Sequence, residues 1–188
     1  MRCLLALCLL LISGCAAAPD VPKGPAVYVE HENGRIGGNA AVLDGGRLML
    51  TAHQLPEHRE GKLFVLLGDE LGYRVEAIAS DVAVVRLDGE PRPWPPLSLG
   101  RRPRRGEALW IAGWNIGDNG EPRADGIIPI RATRPLGGGF AARRRDGDAD
   151  LESGISGSPV VRGNGELVGV VRGSAPGGFV LIGLPPEQ

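Results

Sequence analysis

From Ala26 onward the chain consists of short apolar runs separated by glycine, proline, aspartate and asparagine. No stretch keeps the apolar period of a helix over three turns. Glycine and proline account for 30 and 16 of the 188 residues, which favours many turns over long helices. Many short strands at such spacing predict an all-β fold, either a barrel or a sandwich. The predicted strands are 26–30, 39–43, 48–51, 63–67, 73–79 and 82–87, followed by 108–112, 126–132, 159–161, 167–171 and 179–182.

The segment of residues 91–96 contains four prolines and is predicted to be an extended connector. It divides the predicted strands into two sets, with a boundary near residue 95. The hydrophobic share of 43% is sufficient for a real core. A chain of 188 residues therefore suits one domain, or two small barrels that share a core.

The first fifteen residues have the pattern of an export signal. Arg2 gives a positively charged start, and the apolar run of residues 3–12 is too short to span a bilayer. Residues 12–15 (ISGC) then place an aliphatic residue and two small residues before a cysteine. This pattern resembles the bacterial lipobox. The resemblance implies that residues 1–14 are a lipoprotein signal peptide and that Cys15 becomes a lipidated N-terminus.

Acyl chains on Cys15 would hold the protein to a membrane, and the small, proline-containing residues 15–25 are predicted to be a tether. The expected protein is therefore exported and membrane-anchored. Ala16, which follows the cysteine, implies the periplasmic face of the outer membrane if the cell is Gram-negative. The alternative is an ordinary secretory signal that is cleaved within residues 16–18.

All three cysteines, Cys3, Cys8 and Cys15, lie in this first segment. The folded domain therefore has no cysteine for a disulfide, a zinc site or a thiol nucleophile. A metal site at His31 and His58 is conceivable, but their spacing matches no ligand pattern, so we expect no metal. The nucleophilic chemistry described below would also need no cofactor. The formal net charge of −1 argues against nucleic acid as a partner, because general nucleic-acid binders carry a basic surplus.

Three segments carry residues whose chemistry is complementary. In LMLTAH a strand runs into His53, in SDVAVVRL Asp81 begins an apolar strand, and in SGISGSPVV Ser156 lies in a glycine-containing turn. A nucleophilic serine needs a base within hydrogen-bond reach, and that base needs an orienting group. Histidine and a buried aspartate are suited to these two tasks. The three segments together predict a site for nucleophilic catalysis.

Each segment alone has a structural interpretation as a turn or a strand end, and singly that interpretation is the commoner one. Their order along the chain is His53, Asp81, Ser156, which is the order of the chymotrypsin-type β-barrel enzymes. The residue two positions after Ser156 is Ser158 rather than glycine, so the sequence does not match the G-x-S-x-G nucleophile-elbow motif of the α/β-hydrolases.

The same segments resemble the motifs of the trypsin-like serine proteases, nearest to the HtrA-like and other cysteine-free bacterial branches. Three motifs carry the resemblance: TAH at 51–53, DVAVV at 81–85 and GISGSP at 154–159. The first has one alanine fewer than the family's motif. Residues 37–43 and 167–171 also resemble the family's sequence. It covers about residues 26–184. It implies two six-stranded antiparallel β-barrels, the first at about 26–95 and the second at about 96–188.

Carried over residue by residue, the resemblance implies that Ser156 is the nucleophile, His53 the general base and acid, and Asp81 the orienting carboxylate. The backbone amides of Gly154 and Ser156 would form the oxyanion hole. The site would lie between the barrels, with the histidine and aspartate from the first and the serine from the second. The sequence departs from the family at Ile155, where a polar residue usually precedes the serine.

The residues that would bind substrate give conflicting indications. Asp150 stands six residues before the serine, where an acid selects arginine or lysine in the trypsin branch. A solvated acidic loop around Asp150 is the alternative. Val171, Arg172 and Gly173 are expected to border the cleft, and Arg172 would favour an acidic group. No cleavage specificity is therefore predicted.

Two runs of arginine are predicted to lie on the surface of the protein. Residues 101–105 (RRPRR) are predicted to be a charged surface loop. The alternative is that they contact anionic lipid head groups. Residues 143–145 (RRR) precede the acidic loop and are predicted to be neutralised by it.

The sequence thus predicts a serine endopeptidase that hydrolyses peptide bonds of a protein or peptide substrate through an acyl-enzyme, in an exported lipoprotein. One alternative is a catalytically inactive trypsin-like domain that acts as a protein-binding module in the cell envelope. The other is an envelope-stress or assembly lipoprotein whose likeness to the proteases is architectural only.

Overall fold

The computed structural model describes residues 18–31, 34–55, 59–65, 70–116, 122–123, 127–147, 151–152 and 154–186. In this part the chain forms fifteen strands and one short 3₁₀ turn. The strands are β1 (Ala26–His31), β2 (Gly34–Asn39), β3 (Ala41–Leu43), β4 (Arg47–Thr51), β5 (Glu60–Val65), β6 (Glu70–Ala79), β7 (Val82–Leu87), β8 (Ala108–Ile111), β9 (Asn115–Ile116), β10 (Pro122–Arg123), β11 (Ile128–Leu136), β12 (Gly139–Arg144), β13 (Pro159–Val161), β14 (Leu167–Ala175) and β15 (Phe179–Gly183). Within the described ranges, no helix has the length and apolar character needed to cross a bilayer.

The strands form two antiparallel barrels, so the predicted all-β double barrel is confirmed. The first is a nearly closed sheet of seven strands in the order β2-β1-β5-β6-β7-β4-β3. The second is a closed barrel of six strands in the order β11-β12-β15-β14-β13-β8. The connection from β7 to β8 includes the four-proline segment, and it contacts both barrels through Leu97 N–H to Val42 O and Gly100 N–H to Leu167 O.

Three apolar clusters explain why the sequences of several strands are continuous apolar runs. Each barrel has its own core, and a third cluster fills the space between the barrels. In β4, Leu48 and Leu50 face the core of the first barrel, whereas Met49 faces the cluster between the barrels. Because both faces of β4 are buried, its sequence lacks the apolar–polar alternation of a half-exposed strand.

Residues 18–25, which belong to the predicted tether, pack against the barrels. Val21 is buried in the cluster between the barrels. The Trp114 indole donates to Gly24 O at 3.0 Å, and the Lys23 ammonium lies 4.9 Å from the centroid of the same ring. The signal segment, including Cys15, lies outside the described residues.

Four strands, β2, β9, β10 and β12, were not among those predicted from the sequence, and the two longer ones have clear physical reasons. The segment GRIGGN forms β2 because its backbone pairs with all six residues of β1, although glycine is a poor strand former. The segment GFAARR forms β12, which pairs with β11 on one side and β15 on the other. It ends in two adjacent arginines, of which Arg143 is exposed, so its sequence lacks the longer apolar run by which the other strands were found.

Candidate active site

His53 and Asp81 are brought together by the pairing of β4 with β7. Thr51, the last residue of β4, is opposite Val82, the first residue of β7. The 3₁₀ turn Ala52–Gln54 carries His53 directly beyond that pair, and the Ala52 N–H donates to Asp81 O at 3.0 Å. Antiparallel pairing therefore places the histidine and the aspartate at the same end of the first barrel.

Asp81 lies in a two-residue turn that joins β6 to β7. Ser80 and Asp81 have φ angles of 49° and 68°, in the left-handed region that most residues avoid. Aspartate tolerates this region better than most residues, and two consecutive positive φ angles suit the tight turn of a hairpin. The tight turn holds the backbone on which the Asp81 carboxylate is presented.

The imidazole of His53 approaches the Asp81 carboxylate, with Nδ1 3.8 Å from Oδ2. The two side chains are 44% and 37% exposed, so both are accessible from solvent. The other ring nitrogen, Nε2, lies 3.4 Å from Thr51 Oγ1. The pair has the arrangement of a base with an orienting carboxylate, at a separation longer than a hydrogen bond.

Arg172, expected to border a substrate cleft, approaches the same carboxylate oxygen. Its Nε lies 3.6 Å from Asp81 Oδ2, and the side chain is 28% exposed. This Nε is buried and has no hydrogen-bond partner in the structure. Asp81 is therefore shared between His53, on its own barrel, and an arginine on β14 of the other barrel.

Ser156 lies in a tight loop before β13 in the second barrel. Gly154 and Gly157 on either side of it have φ angles of 89° and 78°, which only glycine adopts without strain. The loop is held against β14 by two backbone hydrogen bonds, Gly157 N–H to Val171 O at 2.8 Å and Val171 N–H to Ser158 O at 2.9 Å. The Val171 side chain faces the core of the second barrel, so this residue acts on the loop through its backbone.

The fully buried side chain of Asn39 joins the serine loop to the first barrel. Its Nδ2 donates to Gly154 O at 2.9 Å and to Trp114 O at 2.7 Å, and its Oδ1 accepts from Trp114 N–H at 2.7 Å. The Asn39 N–H donates to Ser156 O at 2.7 Å. The last residue of β2 therefore holds the backbone on both sides of Ile155.

Gln54, which follows His53, is buried at the same junction. Its Oε1 accepts from the Thr51 N–H and hydroxyl at 3.0 Å and 2.6 Å, and its Nε2 donates to Asn39 O at 3.2 Å. A side-chain carbon on Gly157 would overlap Gln54 and Asn39 O. The residue after the histidine thus packs directly against the residue after the serine, which brings the His53 and Ser156 segments together.

Three consecutive N–H groups of the loop have no carbonyl partner within the described residues. The carbonyls of Gly154, Ile155 and Ser156 all accept hydrogen bonds, whereas the N–H groups of the same three residues donate to no described carbonyl. The Ile155 side chain is buried in the core of the second barrel. The residue that departs from the family pattern therefore contributes an apolar anchor for the loop.

The structure brings some of the predicted site residues together and leaves others apart. In the part of the chain that the structure describes, Ser156 and His53 make no hydrogen bond with one another. Gly173 follows Arg172 on β14, and a side-chain carbon there would meet only open space. Asp150 lies outside the described residues. No group of three histidine, cysteine, aspartate or glutamate side chains converges within the described ranges.

Sequence reasoning missed Asn39 and Gln54. Both are polar residues inside otherwise apolar or glycine-rich segments, and both are almost completely buried. A buried amide must find hydrogen-bond partners, so a polar residue within a predicted buried segment is a signal for such a junction. The partner segments could not have been identified from that signal.

Solved structures of similar fold include serine proteases. A family model described as a trypsin-like peptidase domain matches residues 29–170. The active form of the Rv3671c protease from M. tuberculosis is 19% identical, with a TM-score of 0.61, and the match covers 87% of this chain and 76% of that chain. No curated protein sequence matches the chain.

Two further solved structures have the same fold. A serine endoprotease from Yersinia pestis is 18% identical, with a TM-score of 0.60 and coverage of 86% of this chain and 57% of that chain. A human pathogenic astrovirus serine protease is 14% identical, with a TM-score of 0.64 and coverage of 90% and 94%. At these identities the likeness shows a serine protease fold.

Proposed function

The chain belongs to the trypsin-like peptidase family, and we propose that it is an active serine endopeptidase with Ser156, His53 and Asp81 as its catalytic triad. The observation that carries the proposal is the approach of His53 Nδ1 to Asp81 Oδ2, 3.8 Å apart, beside a serine loop that is hydrogen-bonded to the same barrel. Catalytic hydrogen bonds are often long before substrate binds, and they shorten in the complex.

In the proposed reaction the Ser156 hydroxyl oxygen attacks the carbonyl carbon of the scissile peptide bond while His53 Nε2 takes the hydroxyl proton. The C–N bond then breaks, and the histidine gives that proton to the leaving amine. Water attacks the resulting acyl-enzyme ester by the same route, which releases the acid product and restores the serine. Asp81 orients the imidazole and stabilises its charged form.

The oxyanion of each tetrahedral intermediate would be bound by the N–H groups of Gly154 and Ser156. Donors that are preorganised and free stabilise developing charge without rearrangement. The hydrogen bonds from Asn39 and β14 to neighbouring carbonyls support this role, since they fix the orientation of the loop. The substrate of such a site is a protein or peptide.

Labelling of the purified protein with a fluorophosphonate tests the proposal. The reagent phosphonylates a serine that a working base and oxyanion hole have activated. We expect stoichiometric labelling of the wild-type chain, mass-spectrometric assignment of the adduct to Ser156, and none with Ser156→Ala. Ser158→Ala is the matched control and should label like the wild type. A folded wild-type chain that does not label would overturn the proposal.

A catalytically inactive domain that binds a protein partner is the second candidate. Two observations favour it: Ser156 and His53 make no hydrogen bond in the described part of the chain, and Arg172 approaches the carboxylate that would orient the histidine. This candidate predicts a partner whose affinity is unchanged by Ser156→Ala, together with no hydrolysis of any peptide in a broad substrate library.

We also propose that the chain is an exported lipoprotein anchored through Cys15, on the periplasmic face of the outer membrane if the cell is Gram-negative. The ISGC pattern after a short apolar run supports this proposal. Metabolic labelling with radioactive palmitate should mark the wild-type protein and leave Cys15→Ser unmarked. Recovery of unmarked wild-type protein from the soluble exported fraction would instead favour an ordinary secretory signal.

A further inference from the structure

A groove of about 520 Å³ lies on the outer face of the second barrel, where β11, β12, β15 and β14 run side by side. Its floor is apolar and includes Ala141, Phe179 and Leu181. A volume of this size lies within the range of small-molecule pockets. The groove lies outside the triad segments, and the proposed peptidase reaction does not use it.

Three arginines, Arg105, Arg134 and Arg143, border this apolar floor. We call the floor and these three residues the arginine groove. The Arg143 guanidinium lies 5.7 Å from the centroid of the Phe179 ring, a cation–π distance that holds the charge over the floor. Arg105 and Arg134 are exposed, and neither has an ion-pair partner among the described residues. The groove therefore combines an apolar surface with positive charge at its edge.

Two arginines also face one another across the strands beside the groove. Arg131 and Arg143 are directly opposite one another on β11 and β12, and like charges in such a pair repel. Glu107 is paired with Arg162, and Asp146 is paired with Arg144. The residues that line the groove include three arginines and no acidic residue.

The charged loop of residues 101–105 extends this positive face. Arg102 donates to Gly139 O at 2.8 Å and to Leu136 O at 3.4 Å, which attaches the loop to the β11–β12 hairpin. Arg131 donates to Gly106 O at 2.8 Å, which attaches its other end. The loop is therefore part of the same surface as the groove.

We propose that the arginine groove binds an anionic lipid of a membrane surface, with the lipid phosphate on the guanidiniums and the start of an acyl chain on the apolar floor. Guanidinium groups match the geometry of phosphate and are weakly hydrated. An apolar floor beneath a cationic edge complements an amphiphile, whereas a purely electrostatic site for a polyanion needs no such floor. The proposal is independent of peptidase activity.

Vesicle binding of the chain from residue 15, carrying Cys15→Ser, tests the proposal. Residues 1–14 are omitted because their apolar run would enter any bilayer, and every described residue is retained. We expect binding to vesicles of phosphatidylcholine and phosphatidylglycerol, and none to phosphatidylcholine alone. The variant Arg105→Gln/Arg134→Gln/Arg143→Gln should partition about 100-fold more weakly, since each arginine near an anionic surface contributes about five-fold.

The matched control is Arg59→Gln/Arg74→Gln/Arg92→Gln, which removes the same charge outside the groove, from the first barrel and the connector. It should bind like the parent chain, and thermal unfolding shows that each variant is folded. Equal losses in the two variants would reveal non-specific attraction and overturn the proposal. The proposal would also be overturned if the parent chain did not bind anionic vesicles.

The apolar floor has its own test. Short-chain phosphatidylglycerol monomers should bind at least ten-fold more tightly than glycerol phosphate, which has the charge without the chains, and Leu181→Gln should remove that difference. An acidic peptide that binds tightly while the monomeric lipid does not would identify a protein ligand and overturn the lipid proposal.

Discussion

The side-chain amide of Asn39 donates a 2.9 Å hydrogen bond to the carbonyl of Gly154, and so connects the last residue of β2 to the loop that carries Ser156. Asn39 is completely buried, and its second Nδ2 donor and its Oδ1 are both bonded to the Trp114 backbone. The serine loop of one barrel is therefore oriented by a side chain of the other barrel.

Asn39→Asp should lower the rate of fluorophosphonate labelling about ten-fold or more. The change places an acceptor opposite the carbonyls of Gly154 and Trp114 and removes two buried hydrogen bonds, each of which costs about 1–3 kcal/mol when broken. Labelling rates are measured where urea unfolding shows the variant to be folded. Asn164→Asp, the same change in an exposed loop, is the control. Unchanged labelling of folded Asn39→Asp would contradict the positioning role.

Asp81→Asn should lower kcat about 10³–10⁴-fold while the protein stays folded. Asparagine accepts the left-handed backbone of the Ser80–Asp81 turn, so the change removes the carboxylate without disturbing the hairpin. Peptide hydrolysis and thermal unfolding are measured together. Near wild-type kcat would show that the carboxylate has no part in the reaction.

Arg172→Gln should raise kcat by up to about five-fold, the upper size of an ion-pair interaction between partly exposed side chains. Arg172 Nε lies 3.6 Å from the same Asp81 oxygen that His53 approaches, so its removal leaves that oxygen to the histidine. The measurement is steady-state hydrolysis of one peptide by the wild-type protein and the variant, with Arg145→Gln as a surface control. A large fall in kcat would instead assign to Arg172 a role in holding Asp81.

Gly157→Ala should destabilise the protein far more than Gly165→Ala. Both glycines have positive φ, 78° and 84°, which costs an alanine about 1–2 kcal/mol. A side-chain carbon at Gly157 would also overlap Asn39 O, whereas at Gly165 nothing lies within 4 Å. Urea unfolding measures both losses. Equal losses would mean that the loop adjusts without cost and that its packing against the first barrel is loose.

Glu107→Gln should reduce the acid sensitivity of the fold. Burial raises the pKa of Glu107, but the Arg104 amide and the Arg162 guanidinium outweigh it and hold that pKa below its ordinary value of 4.5. Because the unfolded chain binds the proton more readily, this ion pair stabilises the protein above pH 4.5, and the stabilisation is lost as pH falls through the lower folded pKa. Unfolding free energies measured from neutral pH downward should fall less steeply for Glu107→Gln, and equal slopes would contradict the assignment.

The fold class could be predicted because it follows from local rules. Apolar runs of strand length between turn-forming residues specify strands, and the absence of helical periodicity excludes helices. β12 could not be found in this way, because a short strand that ends in two arginines gains its stability from two neighbouring strands rather than from its own apolar pattern. The sequence predicted that Arg172 borders the cleft, but it could not predict that Arg172 approaches Asp81.

By itself the sequence determined the all-β class and the three short segments that carry His53, Asp81 and Ser156. Strand propensity and turn chemistry act between neighbours in the chain, so they can be read from one segment at a time. Only the tertiary structure decided which segments meet. Asn39 and Gly154 are 115 residues apart in sequence, and their hydrogen bond forms because the two barrels bury the same junction. A buried amide requires a partner, but nothing in its own segment specifies which distant carbonyl will supply it.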